Sequence, residues 1–185
     1  MTVPTSDLSA VRRVQTAIRH AVARTQLGIE QNDHDLVFIG YVETVVWACA
    51  LDELLERMEP GAYAERRDGD PGGQVLRGLR WARNQGVHQL LVLHRQVGGM
   101  MLPMILPGGP SVLVWAERSQ AVPNARSQPK NERPYDQFVA GNQVAATLAD
   151  AQRFLWERAI PNPFVDALPW DLSWPMSAED TLDVT

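Results

Sequence analysis

The chain has 185 residues, 45% hydrophobic and 21% charged, ordinary values for a globular domain able to bury a core. No window approaches the roughly 18 uncharged apolar residues of a membrane span, and the opening MTVPTSDLSAVRRV lacks the apolar run of a signal peptide. The single cysteine, Cys49, excludes an internal disulfide and a cysteine-built zinc site, so the expectation is a cytoplasmic protein with no membrane partner.

The net charge of −5 lies in residues 161–185, where Asp166, Asp171, Glu179, Asp180 and Asp183 meet no lysine or arginine. Residues 1–160 therefore balance, which removes a global basic field for nonspecific nucleic-acid binding. A local basic region remains at Arg66, Arg67, Arg77, Arg80, Arg83 and Arg95.

Helical spacing of Leu8, Val11, Val14, Ile18, Ala21, Val22 and Leu27 predicts a first helix from Leu8 to about Ile29. "QNDHD" is a turn, and a second helix follows from about Leu36 to Met58, stopped by Pro60-Gly61. Cys49 reads as a small buried hydrophobe within it. "GAYAERRDGDPGG" reads as a polar loop, with Pro71 in the first turn of a third helix covering about Gly72 to Val97. "MMLPMIL" and "SVLVWAE" flank "PGGP" and predict a β-hairpin near residues 100–117. "SQAVPNARSQPKNERP" reads as loop, followed by a short helix near Tyr135–Ala140. Thr147 opens a last helix that runs to Pro161, with T-L-A-D resembling a capping box. The fold class is mainly all-α, a four- to five-helix bundle with a small β-hairpin insert between helices three and four. Residues 1–160 form the bundle; 161–185 form an acidic tail containing proline and tryptophan.

Two charges interrupt apolar stripes. Leu36, Gly40, Glu43, Trp47, Ala50, Leu54 and Met58 share a face of helix two, where Glu43 is the only charge, while Asp52, Glu53 and Glu56 fall on other, solvated faces. Leu76, Leu79, Arg83, Gly86 and Leu90 share a face of helix three, where Arg83 is the intruder. A carboxylate and a guanidinium on core stripes are expected to pair, Glu43 with Arg83. His88 stacks on Asn84, four residues earlier, and beyond it on Arg80. His20, His34 and His94 read as surface groups, and Trp47 and Trp156 as core. No spacing of histidine, cysteine or acidic residues suits a metal, and no glycine-rich phosphate loop or nucleophile elbow occurs.

"R-N-Q-G-V-H", residues 83–88, resembles the R-[polar]-x-x-x-H motif of the HEPN superfamily, helical bundles that are often metal-independent ribonucleases. The resemblance covers about residues 8–160. It implies catalysis by Arg83, Asn84 and His88, with Glu43 and Arg80 in support and no cofactor or metal. It implies single-stranded RNA as substrate, a homodimer that joins two motifs in one composite site, and interface positions at Trp81, Val87 and Leu91. A toxin or phage-defence role follows, with an antitoxin or regulatory protein as a further partner. Toxins of this superfamily that pair with a nucleotidyltransferase antitoxin carry a tyrosine two places after the histidine; here Leu90 stands there, and that modification is not implied. The alternative is a catalytically silent HEPN-like module that binds RNA, a nucleotide or a protein partner.

Overall fold

A two-residue reversal organises the N-terminal third of the chain. In the computed structural model, which describes residues 5–85, 92–96, 111–121 and 129–159, α1 (Thr5–Gln31) and α2 (His34–Met58) are joined only by Asn32 and Asp33. Asn32 takes the left-handed φ of 54°, which asparagine tolerates. Its N–H and that of Asp33 bond back to Ile29 and Gly28 at 3.2 and 2.8 Å, closing the carbonyls of the last α1 turn in a Schellman motif. The Asp33 carboxylate then accepts from the Leu36 N–H at 3.0 Å and caps α2.

The chain divides into two compact units, one from Met1–Tyr63 with Leu155–Thr185 and the other Ala64–Phe154. In the first, α1 buries Val11, Ile18 and Ala21, and α2 buries Ala48, Cys49, Leu51 and Leu55. Gly40 sets the closeness of the two helices. A Cβ there would stand 2.2 Å from Thr25 Oγ1 and 2.8 Å from the Ala21 carbonyl, so only glycine fits. The buried hydroxyls are satisfied locally: Thr44 donates to Gly40 O at 2.8 Å and Thr25 to Ala21 O at 3.1 Å.

This packing corrects the stripe predicted for α2. Its core side is Gly40, Thr44, Ala48, Leu51, Asp52 and Leu55, where small residues let α1 approach. Trp47 is 37% exposed rather than core, and Ile39, Val42 and Val46 also face solvent. Asp52, predicted to be solvated, is fully buried and accepts a 2.6 Å hydrogen bond from the Tyr63 hydroxyl. Among the described residues α2 is the one helix long and apolar enough to cross a membrane, and 33% of that apolar stretch is buried.

Tyr63 belongs to α3 (Ala62–Asp68), a helix in the stretch predicted as loop. In the second unit, α4 (Pro71–Gln85) packs against α5 (Pro129–Phe138). Gly78 permits this, since a Cβ would meet Val139 Cγ2 at 2.5 Å and Tyr135 Cα at 3.0 Å. α5 begins well before the predicted Tyr135, despite Pro134 inside it. Proline at 134 has no N–H for the carbonyl four residues back, and that Lys130 carbonyl instead accepts from Arg77 Nη2 at 2.9 Å. Pro129 sits at the helix start, where no donor is lost.

The spacing predicts helix three as far as Val97, but Val92–Gln96 is strand β1, antiparallel to β2 (Ser111–Trp115) with His94 opposite Leu113. The second predicted strand is therefore correct in place, while its partner lies earlier in sequence than "MMLPMIL". Residues 97–110, which hold most of the predicted hairpin, lie outside the described residues, as does the tail from residue 160. The far side of β2 meets the α5–α6 connection: Trp115 N–H donates to Asn142 O at 2.9 Å and Gly141 N–H to Trp115 O at 3.0 Å. α6 (Val144–Glu157) follows, starting three residues before the predicted Thr147.

Candidate functional site

The motif residues that are described occupy the last turn of α4. Arg83 is half-buried, and its guanidinium donates to Asn84 Oδ1 through Nε at 3.3 Å and Nη2 at 3.1 Å. Neighbours in sequence are about 100° apart on a helix, so this contact needs the long arginine stem to fold back along the surface. The edge engaged is one of those that grip a phosphate. A phosphate competing for it exchanges a neutral acceptor for a charged one, and charge-assisted hydrogen bonds are roughly twice as strong. Asn84, which the resemblance places among the catalytic residues, here accepts from Arg83. His88 lies outside the described residues, with Gly86, Val87, Leu90 and Leu91.

Glu43 does not need Arg83. Its Oε2 accepts from Arg24 Nε at 2.7 Å and from Arg24 Nη2, an ion pair bridging α1 and α2 with both side chains more than a third exposed. The demand of this carboxylate for a cation is met within its own unit by the α1–α2 pair. Sequence patterns missed Arg24 because it lies at the margin of an α1 stripe and interrupts nothing.

The basic region is partly committed to structure. Arg67 is 5% exposed and bonds Asp68 at 3.2 Å, and Arg77 bridges Asp68 and the Lys130 carbonyl. Arg80, half-buried, stands one turn before Arg83 on α4. Arg95 and His94 lie on β1, and their side chains are outside the description; His20 and His34 are exposed. Trp81 is not an interface residue: it is 2% exposed and stacks on Tyr135 with ring centroids 4.2 Å apart. The Tyr135 hydroxyl donates to Ala116 O at 2.6 Å, and burial raises its pKa far above the ordinary value.

Gln85 Oε1 and Trp115 Nε1–H, both buried in this unit, have no hydrogen-bond partner among the described residues. One is an acceptor and the other a donor, and buried groups of either kind are ordinarily hydrogen-bonded. Gln85 follows Asn84 directly, and nothing in the sequence pattern separates it from a surface glutamine. A groove of about 400 Å³ lies elsewhere in the unit, lined by Gly72, Phe138, Asn142, Gln143, Asp150 and Arg153 among others. Asp150 and Arg153 pair with each other there. Among the described residues no group of three or more histidine, cysteine or acidic side chains is placed to hold a metal. No protein-family model, curated protein or solved structure matches this chain.

Proposed function

We propose that the chain is a HEPN-like, metal-independent ribonuclease of the toxin or phage-defence kind. It would act on single-stranded RNA at a composite site made by two copies, in a helical bundle carrying a β insert. What supports the reading is the half-buried Arg83 guanidinium hydrogen-bonded to Asn84 at the end of α4, five residues before His88 in sequence. Cleavage without a metal needs a base for the ribose 2′-hydroxyl and a cation for the charge that builds on phosphorus. Imidazole, with an unperturbed pKa of about 6.5, suits the first task. The planar guanidinium suits the second and keeps its charge. The 2′-oxygen attacks the adjacent phosphorus, the bond to the 5′-oxygen breaks, and the products are a cyclic phosphate and a 5′-hydroxyl. Arg80 adds positive charge one turn away.

The test is RNA cleavage with and without chelator, by the wild type and by His88→Ala of matched circular dichroism. The expected result is chelator-resistant cleavage, reduced about 10²–10⁴-fold in the variant. Arg83→Lys lowers it as well, because a point charge replaces a fork. Equal RNA turnover by wild type and His88→Ala defeats the enzyme reading. A catalytically silent module that binds RNA, a nucleotide or a protein partner is the second reading, and that equal turnover would favour it.

A further inference from the structure

Ile39, Val42, Val46 and Trp47 on α2, with Leu27 and Ile29 on α1, are each between 36% and 54% exposed. Single exposed apolar residues are unremarkable, but a grouped set marks a contact surface. On α2 the outward lane is Asp35, Ile39, Val42, Val46, Ala50, Glu53 and Arg57, at steps of four, three, four, four, three and four residues. At 100° per residue these seven fall within an arc of about 80°, opposite the side that carries Gly40, Thr44 and Leu51.

The lane is symmetric about its middle residue. Counting outward from Val46, Val42 mirrors Ala50, Ile39 mirrors Glu53, and Asp35 mirrors Arg57. Asp35 lies in the first turn and Arg57 in the last, both are exposed, and neither joins an ion pair among the described residues. An antiparallel copy of α2 centred on Val46 sets Val46 against itself, Val42 against Ala50, and Asp35 against Arg57 at both ends. A two-fold contact requires such reciprocity, in which residue i meets j and j meets i.

We infer that the outward lane of α2 is the interface of an antiparallel homodimer, with Val46 on the two-fold axis. The occupant is a second copy because the charge pattern answers itself. A membrane surface would not match Asp35 at one end of the lane with Arg57 at the other. Val42, Val46 and Ala50 are small enough for the axes to approach at 8–10 Å. Ile39 covers the stem of Glu53, whose head remains at the rim. Its residues are those of α2, not the Arg83–Asn84 pair of α4, and a dimer at this interface whose RNA cleavage is untouched by His88→Ala would leave the inference standing while the ribonuclease reading fails.

Sedimentation of the full chain, with a cross-link, tests it. The wild type is expected to be a dimer at micromolar concentration. Val46→Glu sets two carboxylates against each other and raises the dissociation constant about 100-fold or more. Val46 is exposed, so the fold survives, as circular dichroism will show. Val46→Cys gives a disulfide-linked dimer on mild oxidation, while wild type, whose Cys49 is buried, gives none. Asp35→Arg weakens the dimer, and adding Arg57→Asp restores it, since both end pairs are then reversed together. A monomeric wild type overturns the inference, including one that binds anionic vesicles through this face. So does a dimer that survives Val46→Glu, or one that Val46→Cys does not link.

Discussion

The two sides of α2 differ less in hydrophobicity than in size. The inner side presents Gly40, Thr44, Ala48 and Leu51 to the core of its unit, and the outer side presents Ile39, Val42, Val46 and Trp47 to solvent. A ranking by apolar character alone puts the core on the wrong side. Close approach decides it: α1 passes so near that Gly40 has no room for a Cβ, and larger residues are left outside. The charges follow the same division. Asp52, inside, is fully buried against Tyr63, and Glu43, at the margin, pairs with Arg24 in partial contact with water.

The largest expected effect is therefore at Asp52. Asp52→Ala removes the acceptor of the 2.6 Å hydrogen bond from the buried Tyr63 hydroxyl and is expected to lower unfolding free energy by about 3 kcal/mol in urea titration, as for other buried hydrogen bonds to a charged group. Tyr63→Phe removes the donor and costs less only if Asp52 keeps other partners. If Asp52→Ala falls within about 0.5 kcal/mol of wild type, the range of ordinary surface changes, the inner-side assignment is wrong.

Gly40→Ala comes next. The added methyl would stand 2.8 Å from two backbone atoms, the Ala21 carbonyl and the Thr25 nitrogen, so the helices must separate. The expected cost is about 1–3 kcal/mol, although alanine is the better helix former. Gly61→Ala meets no atom but sits at φ +87°, so it separates backbone strain from crowding in the same thermal melts.

Tyr135 extends the comparison to the second unit, where a buried hydroxyl also donates at 2.6 Å but to a backbone carbonyl. Burial raises its pKa first, and Glu117 and Asp136 add to the rise. The folded state thus holds this proton more tightly than the unfolded chain, whose tyrosine titrates near 10. The associated stability is whole below about pH 10 and is lost as pH climbs from there towards the folded pKa. Tyr135→Phe should lose about 1 kcal/mol at neutral pH and show a shallower alkaline decline. An unchanged alkaline slope would assign the decline to other groups.

Helix positions along α1 and α2 were legible because apolar periodicity over more than 20 residues is a strong signal and Asn32-Asp33 is good turn chemistry. Which side of α2 faced inward was not legible, since that depends on the partner helix rather than on α2. α3 was missed because seven residues carry too few turns for periodicity to register. The end of α4 was overrun because "QLLVLHRQV" suits strand and helix alike, and only Gly86 punctuated it. Of the candidate site, the adjacency of Arg83 and Asn84 was legible, because both fall within one helical turn. The Arg24–Glu43 pair depends on the register of two helices, which no single-helix pattern contains.

That pair should have the smallest effect. Both side chains are more than a third exposed, so water and salt screen the attraction, and ordering two long side chains opposes it. A double-mutant cycle with Arg24→Ala and Glu43→Ala should give a coupling of about 0.2–1 kcal/mol, smaller still in 1 M salt. Glu43→Gln alone should scarcely move the melting temperature. The outcome distinguishes two roles for Glu43. A surface tie between α1 and α2 predicts weak, salt-sensitive coupling to Arg24 and none to Arg83. A buried clamp on the motif arginine predicts that Glu43→Gln and Arg83→Lys are non-additive, by more than about 0.5 kcal/mol. The pairing seen with Arg24 favours the tie, and a large salt-insensitive coupling to Arg83 would reverse that choice.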